Sequence, residues 1–105
     1  MTTQETRQLI LDIAMNCHRI GGWIADDYEG KKKRIDTFLI QTRAYVDTFE
    51  KADVPESLVA TRRSFFQAFN ENLRGIKSST SDKNALAECF MTWGNILTHR
   101  ASRFV

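Results

Sequence analysis

The sequence predicts an all-α protein that folds as an antiparallel up-down-up-down four-helix bundle, with a single domain over residues 1–105. Apolar residues recur in steps of three and four along four segments, and no segment alternates with the period of two that marks a strand. One proline and five glycines leave too few turn residues for an all-β domain. Four helices of similar length with short connections pack most simply as antiparallel neighbours. The rival arrangement is a pair of helical hairpins that completes its core only as a dimer.

The first helix is expected to begin at Thr2 or Thr3. Thr2 and Glu5 have the spacing of a capping box, in which each side chain accepts a hydrogen bond from the other residue's backbone N–H group. Beyond this start, apolar residues recur at Ile10, Ile13, Cys17, Ile20 and Ile24. This stripe predicts the side of the helix that enters the core.

The end of the first helix is open to three readings, because an acidic stretch at 26–29 is followed at once by four bases at 31–34. A turn at 28–30 gives helices of similar length, although it places the acids and bases at the unfavourable ends of the helix dipoles. An end at Gly21 would put the acids at the favourable start of the second helix. A continuous helix would imply a swapped dimer. We favour the turn at 28–30, because each dipole term is worth only ~0.3–1 kcal/mol.

Three more apolar runs predict the remaining helices. Pro55 is tolerated in a first helical turn, where its missing N–H would have no partner, so Asp53 or Val54 is the expected cap of the third helix. The serine-rich stretch 77–82 separates the third helix from the fourth. The expected core positions of these three runs are Ile35, Leu39, Thr42, Val46 and Phe49; Leu58, Arg62, Phe65, Phe66, Phe69, Leu73 and Ile76; and Leu86, Cys89, Phe90, Trp93, Ile96, Leu97 and Arg100.

Composition narrows the class of function. The net charge of +2 is too small for a protein whose main task is gripping a nucleic-acid backbone. No segment approaches the ~20 apolar residues of a membrane span, and the N-terminal residues do not read as a secretory signal. Cys17 and Cys89 fall inside apolar helical patterns, so we expect two reduced, buried cysteines and a cytoplasmic protein.

The residue types that catalysis and metal binding draw on are sparse. His18 and His99 are the only histidines, and neither falls on the main stripe of its helix. Helical rise would separate His99 from Cys89 by ~15 Å, so the histidines and cysteines cannot share one tetrahedral metal centre. No glycine-rich phosphate loop is present. We therefore expect no enzyme activity, no cofactor and no metal.

The basic residues suggest one candidate surface. Lys31, Lys32, Lys33 and Arg34 form one run, and Arg62 with Arg63 forms a second, next to phenylalanines. Basic and aromatic residues together can bind single-stranded nucleic acid. An anion- or nucleic-acid-binding protein is therefore the alternative function.

Surplus hydrophobicity suggests the favoured function. An amphipathic bundle helix needs about three apolar positions in seven, and the first and fourth helices exceed that fraction. The surplus is expected to form a partner-binding or self-association surface, because Trp and Met are enriched at interfaces. The sequence thus predicts a protein-interaction module, with a homodimer as the expected assembly. Its contact candidates are Leu11, Met15, Trp23, Met91 and Trp93.

Overall fold

The computed structural model describes residues 1–78 and 82–103, so part of the predicted break at 77–82 lies outside the described residues. The described residues form four α-helices and no strand, which confirms the predicted fold class. The helices are α1 (Thr3–Asp27), α2 (Lys32–Lys51), α3 (Glu56–Lys77) and α4 (Lys83–Ser102).

Both ends of α1 follow the favoured reading of the sequence. At the start, Glu5 donates its backbone N–H to the Thr2 hydroxyl at 3.1 Å, and Thr2 donates its own to the Glu5 carboxylate at 3.0 Å. The helix ends at Asp27, and α2 begins at Lys32, so the break lies between the acids and the bases. The principal extent of 39 Å matches α1 alone, since 25 residues span about 37 Å. The early end at Gly21 and the continuous helix are both excluded.

The start of α3 differs from the prediction. Pro55 is itself the N-cap, with φ −58° and ψ 148°, and its carbonyl accepts the Leu58 N–H at 2.9 Å. Asp53 and Val54 do not cap the helix. Proline suits this position because its fixed φ is already compatible and it has no N–H to leave unpaired. The start of α4 is capped by Asp82, whose carboxylate accepts the N–H groups of Asn84 and Ala85.

The helices form an antiparallel ring in which α1 packs on α2 and α4, and α3 packs on α4. Between α1 and α2, the buried Asn16 amide donates to the Thr42 hydroxyl at 3.2 Å. Between α3 and α4, the Asn72 amide donates to Cys89 Sγ at 3.2 Å. These two buried amides are thus hydrogen-bonded across helices, as buried polar groups must be to avoid a desolvation cost.

A seam of small residues joins α1 to α4. A Cβ at Gly21 would lie 2.7 Å from Met91 Cγ and 2.9 Å from the Ala87 carbonyl oxygen. Seven residues along α4, a Cβ at Gly94 would lie 2.7 Å from the His18 ring. Seven residues further along α4, the Ala101 carbonyl accepts a hydrogen bond from the Arg7 guanidinium at 3.1 Å. Small residues thus recur every seven positions on α4, at Ala87, Gly94 and Ala101. They let the backbones of α1 and α4 approach closely, because only small side chains stand between them.

This seam corrects part of the predicted core of α4. Arg100 was expected on the buried stripe, but it is exposed. The buried small residues Ala87, Gly94 and Ala101 occupy the side of the helix that faces α1. A reading based on large apolar residues misses this side, since glycine and alanine give little hydrophobic signal. In the other helices most residues of the predicted stripes are buried, including Ile10, Ile13, Ile20, Ile35, Val46, Phe49, Phe65 and Phe69. In α3, however, Arg62, Phe66 and Leu73 were expected in the core and are only partly buried. Polar or small residues outside the stripes are buried as well, namely Thr6, Ala14, Asn16, Gly21 and Asn72.

Candidate functional site

A groove runs between α2 and α3 and encloses about 700 Å³. That volume lies within the range of ~300–1,000 Å³ that is typical of binding clefts. Its walls carry apolar side chains from both helices and from the turn before α2, and its rim carries charged ones. The apolar residues are Tyr28, Leu39, Ile40, Leu73 and Ile76, and the charged residues are Lys32, Asp36, Arg43 and Lys77. We call this site the α2–α3 groove.

The α2–α3 groove exists because these two helices stay apart. Within the described residues, α2 and α3 lack the close backbone approach that joins the other neighbouring pairs. Polar contacts span the gap instead, and two of them involve residues of the groove. Arg43 donates a guanidinium N–H to the Asn70 side-chain oxygen at 2.7 Å, and the Tyr28 hydroxyl donates to the Ile76 carbonyl at 3.4 Å. They tie the two ends of the groove and leave its middle open.

Ile40 is the most unusual side chain in the groove. It is 74% exposed, the largest exposed fraction among the large apolar side chains of the described residues. It follows the buried Leu39 directly, so it lies about 100° further round the helix, outside the core stripe. Burying an isoleucine fully is worth roughly 1.5–3 kcal/mol. The isolated chain leaves most of that free energy available to a partner.

Positive charge dominates the rim of the groove. Three bases, Lys32, Arg43 and Lys77, surround a single acid, Asp36. Arg43 forms an ion pair with Asp47 of the same helix, with 3.5 Å between Nε and Oδ1. Lys32 lies 5.8 Å from the centre of the Tyr28 ring, and Lys77 has no ion pair among the described residues. Neither of the two lysines at this end of the groove therefore forms an ion pair among the described residues.

The structure separates the five residues that the sequence proposes for partner binding. Trp23 packs edge-on against Phe38 of α2, with ring centres 4.9 Å apart. Trp93 packs against Phe65 of α3, with ring centres 5.5 Å apart. The two tryptophans thus help to attach α2 and α3 to opposite sides of the α1–α4 pair.

The other three contact candidates lie along the α1–α4 pair. Met15 is 48% exposed and Met91 is 39% exposed. Leu11 is partly buried and precedes Met15 by one helical turn. Met91 lies against Gly21 at the seam, and Met15 lies six residues before Gly21, about 9 Å away along α1. We call Leu11, Met15 and Met91 the α1–α4 outer face.

The basic run at the start of α2 is largely engaged within the protein. Lys31 forms an ion pair with Asp26, which lowers the pKa of that carboxyl through a hydrogen bond and through charge. The Arg34 guanidinium lies 5.4 Å from the centre of the Trp23 ring. Lys32 lies over Tyr28, as described above. Lys33 is the member of the run whose side chain has no ion pair or ring contact among the described residues. The dipole cost of placing bases here is thus offset by local partners.

The second pair of bases lies elsewhere. Arg62 donates to the backbone carbonyls of Phe49 at 3.0 Å and Ala52 at 2.8 Å, so it caps the end of α2. Arg63 is its exposed neighbour. The start and end of α2 are about 28 Å apart along the helix axis. The six bases proposed from the sequence therefore do not form one anion-binding surface.

The cysteines and histidines are dispersed. Both cysteines are free thiols; Cys17 is buried and Cys89 is only partly buried, which corrects the expectation that both are buried. Burial raises the pKa of the Cys17 thiol to about 12, with the nearby Cys89 as a smaller cause. His18 lies over Gly94, and His99 is exposed. Residues 1–78 and 82–103 contain no cluster of three or more metal-ligating side chains. None of their helices has the length and hydrophobicity to cross a bilayer.

Sequence reasoning missed the α2–α3 groove, although one signal for it was present. Leu39 and Ile40 are adjacent large aliphatic residues, and a single buried stripe can take only one of them. The position of Ile40 beside α3, rather than in open solvent, depends on the spacing of the helices. The sequence pattern does not carry that spacing.

Fold and surface together define a class: an all-α four-helix bundle with an apolar, base-rimmed groove between its second and third helices. No protein-family model, no curated protein and no solved structure matches the chain. The functional argument therefore rests on its own residues.

Proposed function

We propose that this chain is a non-enzymatic protein-interaction module and that the α2–α3 groove is its main docking surface. The exposure of Ile40 at the mouth of an apolar groove is the observation that carries the proposal. Exposed apolar surface with a polar rim is the usual anatomy of an interaction site. The described lining of the groove holds no histidine, cysteine or serine, and its ionisable side chains are those of Tyr28, Lys32, Asp36, Arg43 and Lys77.

Site-specific photo-crosslinking in the native cell tests this proposal. A benzophenone side chain in place of Ile40 should give one discrete adduct of higher mass. The matched control carries the same group in place of Glu50, an exposed residue of α2 that does not line the groove. A discrete adduct from position 40 alone supports docking at the groove. Equal adduct patterns from both positions would refute docking at the groove.

The α1–α4 outer face supports a second interaction, the expected homodimer. Met15 and Met91 are exposed there, and methionine suits adaptable interfaces. Sedimentation at micromolar concentration should show a dimer that Met15→Glu weakens. A wholly monomeric wild-type chain would refute self-association while leaving the groove proposal standing.

Anion or nucleic-acid binding is the other candidate function. Lys31, Lys33 and Arg34 line a shallow concavity of about 560 Å³ at the start of α2. Binding to oligonucleotides should then be sensitive to salt and disappear when residues 31–34 are neutralised, because counterion release drives such binding. We also propose a cytoplasmic location, which the two free thiols support.

A further inference from the structure

The walls of the α2–α3 groove restrict the shape of what it can bind. Both walls are α-helices, whose backbone N–H and C=O groups are already paired within each helix. An extended peptide would bring unpaired backbone groups against apolar side chains, which is costly. A helix pairs its own backbone and presents only side chains, so it is the polypeptide form that such a groove accepts.

The dimensions of the groove fit a short helix. Its lining on α2 runs over twelve residues from Lys32 to Arg43, or about 16 Å along the axis. That distance corresponds to about three helical turns. A helix of this length offers two or three apolar residues at steps of three and four, which match the side chains of Leu39, Ile40, Leu73 and Ile76.

The charges on the rim restrict the partner further. Lys32 and Lys77 lie at the same end of the groove as Tyr28. Arg74 adds another base to the last turn of α3. Asp36, the one acid of the lining, cannot balance this positive end. Complementary potentials across an interface favour a partner that carries negative charge there.

On the basis of the proposed docking function, we propose that the α2–α3 groove binds an acidic amphipathic helix of a partner protein. Its apolar face lies on Leu39, Ile40, Leu73 and Ile76, and a carboxylate at one end faces Lys32 and Lys77. The apolar contacts supply most of the affinity, and the lysines select for acidic sequences and set the direction of the helix.

Three synthetic helical peptides test the inference with the full-length chain. They share a 16-residue frame with leucines at steps of three and four, and they carry glutamate, glutamine or lysine at the flanking positions. Fluorescence anisotropy at low salt should rank their affinities in that order. The glutamate and lysine peptides should differ by roughly tenfold, because Lys32 and Lys77 attract the first and repel the second across exposed, partly screened distances. The difference should shrink at high salt, which screens exposed charges.

Charge reversal supplies the matched controls. The double variant Lys32→Glu with Lys77→Glu should reverse the ranking, so that the lysine peptide binds tightest. Lys33→Glu reverses one charge at the adjacent, exposed residue, which does not line the groove, and should leave the ranking unchanged. Ile40→Glu should weaken all three peptides. Circular dichroism confirms that each variant remains helical.

The outcomes separate this inference from the proposed function. Equal binding of all three peptides, lost in Ile40→Glu, would overturn the acidic preference and keep the groove as a docking site. Absence of peptide binding together with a discrete crosslink from position 40 would refute the inference of an acidic helical partner and leave the groove standing as a docking site. Binding of dodecanoate at Ile40 without peptide binding would assign the groove to an acyl chain and overturn the inference. Absence of both peptide binding and the crosslink would overturn both proposals.

Discussion

The two long seams of this bundle are built in opposite ways. Where α1 meets α4, glycine and alanine let the backbones approach until a single added Cβ would collide with a carbonyl oxygen. Where α2 faces α3, large aliphatic side chains stand between the helices, and the backbones stay apart. The first seam is closed between its helices, whereas the second keeps apolar surface exposed between its helices. Side-chain size at a helix contact thus decides which part of the molecule holds the fold and which part can bind.

The sharpest test of this contrast replaces one large aliphatic residue from each region by alanine. Leu97 is fully buried on α4, and Leu97→Ala should cost about 2–5 kcal/mol of unfolding free energy. Ile40 is mostly exposed, and Ile40→Ala should change the same quantity by less than about 0.5 kcal/mol. Urea unfolding followed by circular dichroism measures both values. Similar losses in the two variants would mean that the groove is closed in solution.

The second test uses adjacent glycines of α1. A side chain at Gly21 would meet the α4 backbone, so Gly21→Val should destabilise the fold by about 1–3 kcal/mol. A Cβ at Gly22 would meet nothing within 4 Å. Gly22→Ala should therefore stabilise the protein by about 0.5–1 kcal/mol, through helix propensity. If Gly21→Val were as stable as wild type, the close approach of α1 and α4 would be refuted.

The third test concerns a titratable group sealed into the core, which should make the unfolding free energy depend on pH only above neutral pH. The pKa of the Cys17 thiol is about 12 in the folded protein and about 8.5 in an unfolded chain. Because the folded pKa is raised, the stabilising contribution is fully present below pH about 8.5 and is lost as the pH rises towards 12.

The measurement is the slope of unfolding free energy against pH between 9 and 11. The slope should be steeper in the wild type than in Cys17→Ala, while Cys89→Ala should retain most of it. Comparing slopes removes the cavity cost of each alanine variant. Equal slopes in the wild type and Cys17→Ala would show that the thiol is accessible to solvent.

Several features of the fold could be predicted from the sequence, because they depend on residues that are close together along the chain. The capping box of Thr2 and Glu5 needs only four consecutive residues, and the structure confirms it. The stripe from Ile10 to Ile24 follows helical periodicity alone, and it is buried. The turn between the acidic and basic stretches was also predicted, because four helices of similar length make a better bundle.

The candidate site was less readable. Trp23 and Trp93 have the residue type of an interface, but in the fold they brace α2 and α3 through Phe38 and Phe65. The role of Arg62 as a cap of α2 depends on carbonyls ten or more residues earlier. The roles of Leu11, Met15 and Met91 in binding, and those of the bases at 31–34, remain predictions to be tested.

The sequence by itself determined the four helices, most of their ends and the apolar stripes, because capping and periodicity act over a few neighbouring residues. Only the tertiary structure decided that α1 and α4 close on each other while α2 and α3 leave a groove, and that Ile40 lies beside it. These features depend on how side-chain volumes from distant segments fit together, and no single helix contains that information.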